Sequence, residues 1–204
     1  NGRTQRFTYD DLTFRDSGGD DFIAPLWATR KIGYLLNQIR LHGESRELVE
    51  AIVNLSIRYG IITPYTSFLV QEPDQALSEI GRRAIADEAY GAMESAPPAP
   101  ASGAAAVRDA VAHSELEKAQ ALAAPAEEYA AQVRTVGDRA FVYRDGVWTD
   151  TTFDPERMTT TRLVFGSPEF FDFLAQHPAA GRLFALGERV IVVLAGAASE
   201  TAPA

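Results

Sequence analysis

Two adjacent stretches repeat apolar side chains at the spacing of one helical face, and each ends in glycine. Ala28, Ile32, Leu35, Leu36 and Ile39 recur at intervals of three, four and seven, which predicts a helix beginning near Pro25 and ending before Gly43. Leu48, Ile52, Leu55 and Tyr59 repeat the pattern between Ser45, suited to an N-cap, and Gly60, with Val49 and Val53 widening the face. With only a short link between them, the two stretches predict an antiparallel helical pair, held together by Leu35, Leu36, Ile52 and Leu55.

The rest of the chain has strand and linker character. Gln5–Phe14 alternates imperfectly and reads as strand, and Ile61–Val70, broken by Pro64, as a kinked or edge strand. Ala76–Glu94 is helix-prone. Ser95–Ala106, rich in Ala and Pro, reads as a linker, and an Ala-rich helix over Val107–Ala123 has too little apolar surface to stand without a neighbour. Val133–Val136, Arg139–Arg144 and Val147–Phe153, joined by Gly137-Asp138 and Asp145-Gly146, predict a β-meander. Beyond it come a strand over Thr160–Phe165, short helices at Pro168–Gln176 and Ala179–Ala185, a strand over Arg189–Leu194, and Ala195-Gly196 as a final turn. Phe165, Phe170, Phe171, Phe173 and Phe184 supply this part with its own core.

The fold class is therefore α+β: β-sandwich-type strands with an antiparallel helical pair, then a small C-terminal α+β unit containing the meander. The expected division is 1–72 (strand, two helices, strand), 73–127 (helix, Ala/Pro linker, Ala-rich helix) and 128–204 (C-terminal unit).

Composition narrows the function. A net charge of −9, with 17 Arg and 2 Lys scattered along 204 residues, opposes nucleic-acid binding and attraction to anionic membranes. The absence of cysteine excludes disulfides and thiolate chemistry. The longest apolar run, Val190–Ala195, is far too short to cross a bilayer. Beginning at Asn1 without Met or leader, the chain is expected to be a processed or excised piece of a longer protein.

Leu26-Trp27-Ala28 with its helix, Tyr59-Gly60 through Thr63-Pro64 and Thr66-Ser67, and Val133–Asp150 with its Arg-Asp-Gly-Val-Trp hairpin together resemble the region after the von Willebrand factor type A domain in inter-alpha-trypsin-inhibitor heavy-chain-like proteins, the last matching bacterial members. The resemblance implies a place in a larger secreted or cell-surface protein of adhesion type, bracing an upstream metal-binding domain. That family's metal signature, Asp-x-Ser-x-Ser, is absent from this chain, and Asp154-Pro155 is followed by Glu156-Arg157 instead of the His-Phe of the animal cleavage motif. Neither chemistry carries over, and Asp154-Pro155 reads as a turn.

Individual residues admit sharper readings. Asp16, Asp20 and Asp21 around Gly18-Gly19 offer oxygen ligands to calcium, but their spacing matches no ligand loop, and a solvated turn at a helix N-terminus is the preferred expectation. His42, His113 and His177 lie in separate elements with no i, i+4 partner. Thr63, Thr66 and Ser67 can bind a ligand or satisfy kinked backbone. Trp27 and Tyr34 can form an exposed platform, but packing against the sandwich is the preferred expectation. Asn54-Leu55-Ser56 is a glycosylation sequon set inside a helix. Ser167 before Pro168 reads as an N-cap.

The reading is a non-enzymatic interaction module with protein partners, in a possible homo-oligomer or filament in which residues near Pro97–Leu122 lie against a partner. No catalytic residue, cofactor or metal site is assigned. The alternative is a hydrolase using Asp145, Asp150 and Asp154 around the meander.

Overall fold

The computed structural model describes residues 19–66, 76–94, 103–121 and 131–203. Helices α1 (Ile23–His42), α2 (Arg46–Tyr59), α3 (Glu79–Glu94) and α4 (Ala104–Glu117) come first. Strands β1 (Val133–Val136), β2 (Arg139–Arg144), β3 (Val147–Asp150) and β4 (Thr160–Val164) follow. Then come α5 (Pro168–Gln176), a 3₁₀ turn, α6 (Gly181–Phe184), β5 (Val190–Leu194) and β6 (Ala197–Ala202). The fold is α+β. The described strands form one six-stranded mixed sheet in the order β1-β2-β3-β5-β6-β4, with β3–β5 and β4–β6 parallel. The predicted strand at Gln5–Phe14 lies outside the described residues.

Alternation along the strands sends side chains to two different cores. Val133 and Val142 join Ile32, Leu35, Leu36, Val49, Ile52 and Val53 of the helical layer. Side chains on the opposite face form the second core: Phe141, Trp148, Val190 and Val192 pack with Phe170, Leu183 and Phe184 of α5 and α6. The sheet thus has helices on both faces, and Phe170 meets Phe184 edge-on at 5.7 Å.

The helical pair forms where predicted. Ser45 caps α2 by accepting from the Leu48 N–H, and Gly60 ends it with left-handed φ. Its buried face is rotated from the expected one: Val49, Ile52, Val53, Ser56 and Ile57 are buried, whereas Leu48 and Leu55 are only partly covered. The sheet, which contacts α2 through β2, accounts for that rotation.

Three expectations are corrected. Residues 61–66 form a turn and no strand, because Thr63 and Thr66 satisfy the local backbone. The Thr66 hydroxyl accepts from Thr63 N at 2.9 Å, and that of Thr63 accepts from Tyr65 N at 3.3 Å; Ser67 lies outside the described residues. The Ala-rich helix starts at Ala104, inside the expected linker, and α1 of the same chain is the neighbour it needs. Ala195-Gly196 is no final turn. With φ of 49° and 83°, it joins β5 to β6, a central strand paired on both edges. The sequence Ala-Ala-Ser-Glu-Thr-Ala has weak strand propensity, and β6 exists because β5 and β4 supply its hydrogen bonds.

Candidate functional site

The Asp145-Gly146 turn, with φ of 50° and 82°, takes the left-handed form that tight hairpins favour and sets Tyr143 opposite Trp148. The two rings lie 4.8 Å apart between centroids. From β1, the Arg134 guanidinium reaches over the indole at 4.8 Å. Trp148 is nearly buried, while Tyr143 is 43% exposed.

The segment before β5 forms the opposite wall, fastened where the Trp148 N–H donates to the Arg189 carbonyl at 3.0 Å. The result is a cleft of about 500 Å³ lined by Arg134, Tyr143, Trp148, Leu186, Glu188 and Arg189, among others. Helices α5 and α6 pack against β4 and β5, whereas the cleft is lined from β1, β2, β3 and the segment before β5. Among the described residues, neither Arg134 nor Arg189 forms an ion pair. Two cationic forks, an aromatic floor and one carboxylate can hold a ligand, but contain no nucleophile–base pair for covalent chemistry.

The residues singled out in the sequence do not converge on this cleft or on one another. Asp150 is fully buried and joins three strands. Its carboxylate accepts from Arg139 Nη1 at 2.7 Å, from the Thr152 N–H and hydroxyl at 2.9 and 2.7 Å, and from Val193 N at 3.4 Å. Arg139 in turn donates to the Val193 carbonyl. Asp154 accepts from Glu156 N at 2.9 Å, as a turn residue would. Asp145 is solvated in its hairpin turn beside Arg144.

Asp21 pairs with Arg182 over Gly137, which ties the start of α1 to α6 and holds the Asp21 carboxyl below its ordinary range. The Asp20 carbonyl accepts from Ile23 N, and Asp16 lies outside the described residues. No group of three or more His, Asp or Glu is placed to hold a metal among the described residues.

The histidines stay apart. His42 is in the last turn of α1, His177 caps α5 with its ring 4.6 Å from Phe173, and His113 sits on α4. His113 Nδ1 is buried and finds no partner among the described residues. Burial holds its pKa below the usual 6.5, with Asp109 opposing and Arg40 reinforcing the effect. Ser167 accepts from Phe170 N at 3.2 Å with Pro168 at the first position, as expected of a cap. Asn54 is exposed within α2.

Trp27 and Tyr34 depart from the preferred expectation of packing: they are 54% and 43% exposed. With Ile23 and Leu41, also exposed, they fall four, eleven and eighteen residues along α1, which places all four within one narrow stripe. The stripe runs opposite the buried face, because α2 and α4 occupy the other sides of the helix.

No family model matches the chain, and no solved structure matches it. Human inter-alpha-trypsin inhibitor heavy chain H3 is 37% identical over 92 residues, 44% of this chain. Bovine heavy chain H4 is 34% identical over 73 residues, 34% of this chain. The matched parts are 10% and 8% of those proteins, so the chain spans about a tenth of the length of the curated relatives it matches. This is a partial, distant similarity to inter-alpha-trypsin inhibitor heavy chains. No described helix is long and apolar enough to cross a membrane.

Proposed function

We propose that this chain is a non-catalytic interaction module of a larger secreted or cell-surface protein, bracing a von Willebrand factor type A domain. The observation that carries the reading is the exposed stripe Ile23, Trp27, Tyr34 and Leu41 on α1. Large apolar side chains aligned on one face and left in water mark a contact surface. The distant similarity to heavy chains supports the same reading. So does the engagement of Asp150 and Asp154 in backbone and ion-pair contacts, which leaves the hydrolase alternative without a free acid–base pair. Proteins are the partners, and neither nucleic acid nor membrane insertion is part of this role.

The test is hydrogen exchange and Trp27 fluorescence on this chain alone and within a longer polypeptide carrying the preceding domain. Protection of residues 23–41 and a blue-shifted Trp27 emission in the longer protein are expected, with the protection lost in Trp27→Asp. Equal exchange in the two settings would overturn the bracing role. Hydrolytic turnover abolished by Asp154→Asn would overturn the non-catalytic one.

A further inference from the structure

We propose that the cleft over Trp148 binds an extended acidic peptide segment, an inference that rests on the interaction-module reading and gives it a second, separate contact. The cleft's own charges argue for an acidic occupant. Arg134 and Arg189 both line it, and neither holds a carboxylate among the described residues. Cations left without partners in an acid-rich molecule are complementary to an external carboxylate, and a guanidinium can take one through two parallel N–H donors.

Arg134 is also pre-positioned. Its guanidinium carbon lies 4.8 Å from the Trp148 ring centroid, a cation–π contact that restricts the side chain and leaves less ordering to the moment of binding. Tyr143, half-exposed and tilted 40° to the nearly buried Trp148 ring, offers an aromatic face to a proline or aliphatic side chain, as aromatic-lined grooves do for extended peptides. Glu188, on the same rim as Arg189, can accept a peptide N–H, a group that inorganic anions lack. The aromatic face, the acceptor and the two forks together fit a peptide.

The experiment measures fluorescence anisotropy of a labelled eight-residue peptide alternating Glu with Pro, beside the same peptide with every Glu replaced by Gln. The full chain is compared with Arg134→Gln, Arg189→Gln and Tyr143→Ala, all at exposed positions, each checked by circular dichroism. The acidic peptide should bind, and should weaken about tenfold with loss of either arginine, equivalent to about 1.4 kcal/mol. Affinity should also fall with salt. Equal binding of the Gln peptide, no binding of either peptide, or displacement by sulfate alone at matched charge would each overturn the proposal. Trp27→Asp separates the two readings: peptide binding that survives it while α1 protection is lost isolates the cleft, and α1 protection without peptide binding sinks the cleft alone.

Discussion

Gly33 of α1 and Glu117 of α4 approach so closely that a Cβ on Gly33 would lie 2.4 Å from the Glu117 backbone nitrogen and 2.9 Å from the His113 carbonyl. Only a residue without a side chain permits that crossing. It brings Asn37 to within 2.7 Å of the Glu117 carboxylate, and Arg30 to 2.7 Å from the Ala119 carbonyl. The Ala-rich helix is thus held by backbone proximity and a few polar contacts, in place of the large apolar face it lacks.

Gly33→Ala should therefore loosen α4. Alanine favours the interior of α1 by about 1 kcal/mol, but overpacking against immovable backbone costs roughly 1–3 kcal/mol. Faster proteolysis within Ala104–Glu117 with α1 retained is the expected result. An unchanged cleavage rate would mean that the helices do not meet at Gly33.

Leu35 is almost fully buried among Ile32, Val49 and Ile52. Leu35→Ala should cost about 2–5 kcal/mol, read as a lower denaturant midpoint. Leu55→Ala, at a partly covered position, should cost less. The reverse ranking would contradict the rotated face of α2.

Arg139 and Asp150 form a pair whose carboxylate side is wholly out of water. Arg139→Ala leaves that carboxylate without its cation, and should destabilise by roughly 3 kcal/mol. Thermal melting would fall by about 2–4 °C for each kcal/mol in a chain of this size. A variant that keeps its Tm would show that Thr152 and Val193 suffice to hold Asp150.

His113 sets a pH dependence. Its folded pKa lies below 6.5, so the folded state prefers the neutral ring, and the unfolded state takes up protons first as pH falls. The stability that His113 contributes is complete above about 6.5 and is lost as pH drops from there through the lower folded value. Melting curves between pH 7.5 and pH 5 should show the decline, and His113→Gln should flatten it. A decline unchanged in His113→Gln would assign it to other groups.

Ala195 holds φ of 49° in the β5–β6 turn, a conformation that costs a residue with a Cβ about 1 kcal/mol. Ala195→Asn should raise the melting temperature, since asparagine tolerates the left-handed region and suits this hairpin turn. Lower stability would mean that the alanine methyl makes a contact worth more than the strain it bears.

The α1–α2 pair, the capped start of α5 and the β1–β3 meander were legible in the sequence because each depends on local rules: apolar period, a hydroxyl before a helix, a turn that demands positive φ. The exposed stripe on α1 was legible only in its residues, since periodicity cannot say which of two apolar faces meets α2 and α4. Strand β6 was invisible for the opposite reason: its small polar residues carry no strand signal, and their hydrogen bonds come from β4 and β5, distant in the chain. The candidate cleft also belongs to tertiary structure. The hairpin sets Tyr143 across from Trp148 by local register, but the crossover from β3 through β4 and α5 to β5 brings Arg189 to the far rim. An arrangement closed by a link of some forty residues is decided by packing and not by any window of sequence.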